Sequence, residues 1–598
     1  MQALRDAVEA DRPREHDPAR IVLQHVAEDA GREADRERGA EQAADDDGGA
    51  GRLHRVGAGA TQAGEDRLEP VGDARRQIRH VPSAPRTRRR GRRETLRFAD
   101  RGRPPTGCAG PRGQDREVRT AVAVVLAAAT AAAIGWSTLN FTSLRSGERP
   151  SIALWTGIAW GLFALAVLAL RRVPARRVTA VVLGGALLIG GAALLAPPTT
   201  STDSARYAWD GIVQKAGISP YDHVPASDAL DDLRPAWLFG APEVEADGGF
   251  SCPGIRQEKV RSVDDGDPLC TAINRPKVLT IYPPVAEAYF ATVRLFVPPE
   301  AEYLPLQIGG LVIALALTAG LLAALRRRQL DPRWAALWGW CPLIAIEAVN
   351  NAHVDVLGAA LALVATLLIS RGRRIWGGIA LGAAIATKLI PVIVAPPLIR
   401  RRPVAVIVAA VLTFAAVYVP AVIASGPRVL GYLPGYLKEE GYDDGSRFAL
   451  LTVVLPGSAA LPVAAVLLAV IAALCVWRTD PTQPWMTQVV LVGTTLLLVS
   501  PRYVWYALLL VPFIVLSRRW EWFAVVLALT ARSLIPSLTV SRIALAIALV
   551  VLIVAWLLRR RAARIDRGAA TPSSALASAS TSASASASAS DSSSEAAT

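Results

Sequence analysis

The 598-residue chain is poor in charge, with 19% Asp, Glu, Lys and Arg against 52% hydrophobic residues. Soluble globular domains carry roughly 25% charged residues, so an ordinary soluble enzyme is disfavoured. Charge is scarcest after Arg119, where apolar runs reach about 18 to 25 residues, enough for a helix to cross roughly 30 Å of hydrocarbon. The composition therefore predicts a polytopic membrane protein that contacts membrane lipid.

Several cofactor motifs are missing from the sequence. It contains no P-loop, no GxGxxG fingerprint after a strand and no CxxC pair, so nothing indicates a nucleotide, a dinucleotide or structural zinc. We expect no cofactor and no metal, and the energy for any group transfer must arrive with the substrate. The pair His353 and Asp355 is a weak candidate for a divalent cation, because it supplies only two ligands.

Lysine is absent from residues 1–117, which are rich in Arg, Ala and Gly. With almost no aromatic residues and no sustained apolar period, this segment cannot bury enough surface to offset the entropy of ordering. We interpret it as disordered. Its acidic residues nearly balance its basic ones up to the cluster at residues 86–93, so we expect no nucleic-acid binding. The absence of lysine also suggests translated high-GC DNA upstream of the natural start.

The remaining apolar runs predict an all-α membrane domain over residues 118–560, with about 12 to 14 transmembrane helices. Short Arg-rich loops indicate a multi-pass plasma-membrane protein with both termini cytoplasmic. Arg flanks both ends of the run 375–399, so this run must cross twice or dip and return. Lys388 and Pro391 near its middle favour a broken helix. The Ala/Ser-rich residues 561–598 are predicted to be a flexible cytoplasmic tail.

The same orientation places a long loop, residues 197–303, outside the cytoplasm. Cys252 and Cys270 both lie in this loop. Because the exterior is oxidising, we predict a disulfide between them. It would close a loop of about 18 residues and stabilise the fold by roughly 3 kcal/mol. Two free thiols are the alternative.

The external loop opens with the sequence TDSARYAWDG, a few residues after a predicted span. Asp203 should therefore lie at the membrane surface, where a carboxylate can take a proton from a sugar hydroxyl as a general base. Capping of the following helix is the alternative role, since Asp is a preferred N-cap residue. Arg206 and Asp210 follow at i+3 and i+7, on the same helical face. They are candidates for substrate binding, with a structural ion pair as the alternative.

Further polar residues are predicted on this external face. Tyr282 begins an amphipathic stretch suited to the membrane interface, or to a packed surface helix. Asn351, His353 and Asp355 lie where a span begins and serve either a substrate or helix capping. Lys388 is a charge inside an apolar run and should face a cavity or an anionic partner, unless it snorkels. The other basic candidates for substrate binding are Arg447 and Arg502.

The motifs DSARYAWDG, GISPY, TIYPP, NNAHVD, ATKLIP and SPRYVWYALLLVP occur in this order. The pattern resembles the GT-C superfamily of polytopic glycosyltransferases, most closely the actinobacterial polyprenol-phosphate-mannose-dependent mannosyltransferases, including glycosyltransferase family 87. The resemblance covers about residues 120–560. It implies a polyprenyl-phosphate sugar donor, a cell-envelope glycolipid or polysaccharide acceptor, and transfer on the extracytoplasmic side. It also implies an acidic catalytic residue in the first large external loop, a position that Asp203 matches. Two spans precede the one leading into this loop, which departs from the simplest family layout.

The resemblance implies an inverting displacement, in which Asp203 deprotonates the acceptor and cations stabilise the departing phosphate. The candidate cations are Lys388, Arg447 and Arg502. Mannose is the sugar that the family implies, and arabinose and glucose remain open. A transporter or flippase of lipid-linked sugars is the main alternative, because charges within spans also serve translocation. A structural partner in envelope synthesis is a third interpretation.

Overall fold

The computed structural model describes residues 111–144, 147–246, 249–254 and 256–569. The predictions for residues 1–110 and for residues 570–598 lie outside this part. The predicted all-α membrane fold is confirmed. The α-helices of the described part are α1 (Pro111–Asn140), α2 (Arg149–Leu170), α3 (Val178–Ala192), α4 (Asp203–Lys215), α5 (Pro284–Arg294), α6 (Leu304–Arg327), α7 (Ala336–Gly339), α8 (Asp355–Ser370), α9 (Arg374–Ile385), α10 (Pro403–Ser425), α11 (Leu433–Glu439), α12 (Gly457–Arg478), α13 (Trp485–Val499), α14 (Val511–Ser517), α15 (Phe523–Leu534) and α16 (Leu538–Ala569).

Two helices extend into segments that we expected to be disordered. Helix α1 begins at Pro111 and α16 continues to Ala569. The first extension, PRGQDRE, contains two Arg residues, and the second, RAARIDRGA, is rich in Arg and Ala, residues of high intrinsic helix propensity. Both continue a long apolar helix in which the costly nucleation step is already complete. The boundaries expected at residues 117 and 561 are therefore corrected by about two to two and a half helical turns.

Within the part of the chain that the structure describes, six helical segments are long and apolar enough to cross a membrane, and a bent pair of helices raises the number to at most seven. Four shorter apolar helices accompany them within the described residues, including α3, α9 and α13. Large aliphatic side chains on these segments face outward, as Val411, Leu412 and Ile423 do on α10, which is typical of lipid contact. The predicted total of about 12 to 14 crossings stays a prediction.

The run 375–399 contains the expected break. Helix α9 ends at Ile385, and two short 3₁₀ helices, Ile390–Val394 and Pro396–Leu398, follow it before α10 begins. Proline cannot donate the helical hydrogen bond, and it disfavours helical geometry in the residue before it. Lys388 lies in the break, so its side chain leaves an irregular backbone rather than a regular helix.

The bent pair consists of a π-helix, Ile344–Asn350, followed by α8 at an angle of 110°. Its wider turn is shown by the N–H of Asn351, which donates to the carbonyl of Ile346 at 2.8 Å. Ala352 then adopts a left-handed conformation, with φ of 53°. Because π-turns are rare and frequent at functional sites, this bend marks the segment that follows as a candidate site.

The external loop builds a small domain around α4, α5 and two antiparallel hairpins. Strands β1 (Glu243–Val244) and β2 (Phe250–Ser251) form the first hairpin, and β3 (Glu258–Arg261) and β4 (Pro268–Thr271) form the second, with Lys259 opposite Cys270. Cys252 and Cys270 form a disulfide, with their Cα atoms 5.6 Å apart. This link ties β4, and the residues that follow it, to the first hairpin.

A close backbone contact joins the predicted external loop, residues 197–303, to a second predicted external loop, residues 424–447. Gly431 has φ of 57°, and a Cβ atom at this position would lie 1.9 Å from the carbonyl oxygen of Thr280. Only glycine tolerates both the left-handed backbone and this approach. The segment 426–440 is therefore held against the end of the first loop.

Candidate active site

Asp203 occupies the first turn of α4 and keeps a partly accessible carboxylate. Thr202 is the N-cap residue, and no side chain there caps the helix. Instead, Oδ1 of Asp203 accepts a hydrogen bond from Nδ2 of Asn274 at 2.8 Å. The Asp203 side chain is 17% exposed. The capping alternative is therefore not the arrangement observed, and the second carboxylate oxygen is directed elsewhere.

That second oxygen faces a buried histidine. His353 Nδ1 lies 3.6 Å from Asp203 Oδ2, and His353 Nε2 lies 3.4 Å from Glu347 Oε2, so the three side chains form a row. The His353 ring is completely buried and stacks on Trp505, with the ring centroids 3.9 Å apart. An imidazole between two carboxylates can accept a proton at the nitrogen that faces one carboxylate, while the second carboxylate stabilises the positive charge on the ring.

The motif NNAHVD fixes this row through its two asparagines. Asn351 donates to Glu347 Oε2 at 3.0 Å and to the hydroxyl of Thr200 at 2.6 Å. Asn350 accepts the backbone N–H of Thr199 at 3.0 Å and donates to the carbonyl of Ala193. The motif therefore fastens the π-helix to the segment that leads into Asp203. Asn351 holds a protein partner in this structure, and its role toward a substrate stays a prediction.

Lys388 and Asp355 meet across the break after α9. Lys388 Nζ lies 2.8 Å from Asp355 Oδ2 and 4.8 Å from the centroid of the Tyr506 ring. The lysine thus faces the interior of the helix bundle, as expected for a charge within an apolar run. Among the described residues, no three or more His, Cys, Asp or Glu side chains are arranged so that they could hold a metal ion. The Asp355 carboxylate forms an ion pair with Lys388, whereas the His353 ring lies between Asp203 and Glu347.

Arg447 lies in a second buried pair, with Glu440, and its guanidinium faces the ring of Tyr506 at 5.8 Å. The hydroxyl of Tyr506 is 2.7 Å from that of Tyr436. Arg502 is half-buried in the turn after α13, next to Tyr503. Two of the three predicted cations, Lys388 and Arg447, therefore converge on one tyrosine.

Arg206 and Asp210 form the structural ion pair considered above. Arg206 Nε lies 3.0 Å from Asp210 Oδ1, and the rest of its guanidinium donates to the carbonyl of Val278. The hydroxyl of Thr280 lies 2.9 Å from both Asp210 Oδ2 and Glu287 Oε1. One hydroxyl has one proton to donate, so one of these contacts requires a protonated carboxyl.

The electrostatics of this network agree with a shared proton. Burial raises the pKa of Glu287 well above its usual value, and the neighbouring Asp210 raises it further. Burial also raises the pKa of Asp210, although Arg206 opposes this effect. Tyr282 is buried beside the network and packs edge-on against the ring of Tyr207, with centroids 4.9 Å apart. Arg206, Asp210 and Tyr282 therefore all have partners within the protein. Their predicted role in substrate binding stays a prediction.

Three residues at the site were not among our candidates: Glu347, Asn274 and Arg275. Glu347 carried a usable signal, because a carboxylate within an apolar run is a functional candidate by default. Asn274 and Arg275 carried none, since they follow β4 in the external loop and only the tertiary fold brings them to Asp203.

Residues 280–501 match the model of Glycosyltransferase family 87. The resemblance to this family is confirmed. The matched segment contains His353, Lys388 and Arg447, whereas Asp203 precedes it. With the membrane helices, the match supports a membrane glycosyltransferase. Neither the search of curated proteins nor the search of solved structures gave a match.

Proposed function

We propose that this glycosyltransferase moves a hexose, mannose in the first instance, from a polyprenyl-phosphate donor to a cell-envelope glycolipid or polysaccharide on the extracytoplasmic side of the plasma membrane. The observation that carries the proposal is the partly exposed carboxylate of Asp203, held by Asn274 and adjacent to buried His353. A transferase that uses a hydroxyl acceptor needs such a base at the membrane surface.

The chemistry is an inverting displacement at C1 of the donor sugar. Asp203 accepts the proton of the acceptor hydroxyl while the oxygen forms a bond to C1. The bond between C1 and the phosphate oxygen breaks, and its electron pair leaves with the polyprenyl phosphate. The proton then lies beside His353 Nδ1, 3.6 Å from Asp203 Oδ2, with Glu347 behind the ring to stabilise a cation.

The leaving phosphate needs positive charge at the moment the bond breaks. Lys388 and Arg447 supply two cations that face the ring of Tyr506. Both are held in place by carboxylates, Asp355 and Glu440, so their positions are set before a substrate arrives. Such preorganisation favours the transition state, because little reorientation is needed during the reaction.

A lipid-linked donor fits the surroundings of the row. A cavity beside Glu347 and Trp505 is lined mainly by apolar side chains of α1, α2 and α15, among them Ile134, Trp155 and Leu534. This position, between helices that present apolar surface to the membrane, supports substrates that carry a lipid chain.

The decisive experiment is transfer of labelled mannose from polyprenyl-phosphate-mannose to membrane glycolipids by the purified full chain. Asp203→Asn removes the base while keeping the shape of the side chain, so we expect wild-type product and a loss of about 10²-fold or more in the variant. Asp222→Asn, on the same external face, is the control and should retain activity. Equal activity of wild type and Asp203→Asn contradicts the proposed base. Movement of the lipid-linked sugar across the membrane without product formation favours a transporter.

A further inference from the structure

Three cations converge on the joined tyrosines Tyr436 and Tyr506. The guanidinium of Arg275 lies 5.9 Å from the ring centroid of Tyr436, while Lys388 and Arg447 lie against Tyr506. Each cation is paired with a carboxylate, and Arg275 pairs with Glu439 at 2.7 Å. Three cations this close to the proposed site of transfer are typical of an anion-binding site. In this structure carboxylates occupy the positions that a bound anion would take.

The position of Arg275 is set by the preceding residue, Asn274. Asn274 binds the carboxylate of Asp203, so the next residue, Arg275, must leave the backbone close to the proposed base. Arg275 has φ of 52°, a left-handed conformation that costs energy for a residue other than glycine. Strained backbone of this kind is concentrated at functional sites, where it fixes the direction of a side chain.

The pair of Arg275 and Glu439 differs from the other arginine pair nearby. Arg447 and Glu440 are almost fully buried, whereas the side chains of Arg275 and Glu439 are 37% and 23% exposed. The accessible pair also bridges the two external loops. Exposed ion pairs contribute little net stability and are therefore readily exchanged for a better partner.

We propose that Arg275 binds the phosphate of the lipid-linked donor, and that Glu439 occupies its guanidinium when no donor is bound. This assignment rests on the proposed function, whose donor carries a phosphate. A guanidinium binds phosphate through two parallel hydrogen bonds, a stronger arrangement than its contact with a partly solvated carboxylate. Exchange of one anion for the other also keeps the charge around Arg275 nearly constant. Glu439 keeps a partner after release, because the hydroxyl of Tyr432 donates to its Oε1.

The proposal makes opposite predictions for the two partners. Arg275→Gln should weaken binding by about tenfold, since hydrogen bonds to charged groups are the stronger class. Glu439→Gln should instead tighten binding by about threefold, because it removes the internal competitor. A purely structural ion pair cannot produce this opposition, as loss of either partner would then disturb the same contact.

The experiment measures binding of polyprenyl monophosphate and of the matching polyprenol to the purified full chain in detergent, so no turnover is required. The matched control is Asp222→Asn, because Asp222 and Arg428 also bridge the two external loops, at 3.5 Å, and are also accessible. The control should bind as wild type does. Preference for the phosphate over the polyprenol, weaker in Arg275→Gln and stronger in Glu439→Gln, supports the proposal.

Two other results overturn it in distinguishable ways. If wild type prefers the phosphate and both variants bind it within twofold of wild type, or both bind it more weakly, the assignment of the pair is wrong while the donor class stands. If the phosphate and the polyprenol bind equally to every protein, the polyprenyl-phosphate donor itself is contradicted, and the role of Arg275 fails with it.

Discussion

Helix α4 carries the beginnings of two polar networks that differ in how completely they are closed. The network of Arg206, Asp210 and Glu287 is buried, and its principal contacts are 2.9 to 3.0 Å long. The row that begins at Asp203 is partly exposed, and its contacts through His353 are 3.4 and 3.6 Å long. Short, complete contacts are typical of a structural network, whereas longer contacts that await a substrate are typical of a catalytic one.

Mutation of one residue in each network should separate their effects on activity and on stability. Asp203→Asn should abolish most transfer, by about 10²-fold or more, while the melting temperature stays close to that of wild type. Arg206→Met should leave two buried carboxyls without their cation and lower the free energy of unfolding by about 3 to 5 kcal/mol. Activity assays paired with thermal melts of both variants measure the difference.

Arg428→Met provides the control for these melts, because Arg428 lies in an accessible ion pair whose loss should cost no more than about 1 kcal/mol. Severe unfolding of Asp203→Asn together with an unchanged melt of Arg206→Met would reverse the roles that we assign to the two networks.

Glu347, at the buried end of the row, offers a test of whether the row acts in catalysis. Glu347→Gln should lower kcat by about tenfold, because the charge behind His353 is lost. The KM for the donor should change less than kcat, since Glu347 Oε2 is directed toward Asn351 and His353. Steady-state kinetics over a range of donor concentrations test this. A raised KM with unchanged kcat indicates that Glu347 shapes the binding site instead.

The smallest expected effect is a pH dependence of stability in the closed network. Burial raises the pKa of Glu287, so the folded chain retains a proton that the unfolded chain releases above about pH 4.3. The stability that this group contributes is therefore greatest at low pH and falls as the pH rises through the pKa of the folded state. The variant Glu287→Gln lacks this proton, and its side-chain amide oxygen can still accept a hydrogen bond from Gln214.

Thermal melts from about pH 5 to about pH 9 should show the melting temperature of wild type falling more steeply than that of Glu287→Gln. Parallel curves for the two proteins contradict a raised pKa at this position.

Local signals in the sequence accounted for much of the fold and part of the site. The length of apolar runs predicts membrane helices, and Lys388 with Pro391 predicts the break after α9. Helical spacing likewise places Arg206 beside Asp210, four residues away. Asp203 was predicted from its position after a span and from the family resemblance, and its catalytic role is still a prediction.

The remaining contacts depend on distance along the chain. Asn274 lies 71 residues from Asp203, and Arg275 lies 164 residues from Glu439. No periodicity predicts such pairs, because they depend on how β4 and the second external loop pack against α4. The orientation of Glu347 toward His353 could not be predicted from the sequence either, because an apolar run does not indicate whether its helix is α or π.

The π-helix makes the geometry of the site depend on the number of residues as well as on their identity. The segment Ile344–Asn350 accommodates one residue more per hydrogen-bonded turn than an α-helix does. Deletion of a single apolar residue before Glu347 would favour ordinary α-helical spacing and rotate the carboxylate by about 100° relative to His353. The hydropathy of the span would barely change. Insertions and deletions, more than substitutions, are therefore the sequence changes to which this site is most sensitive.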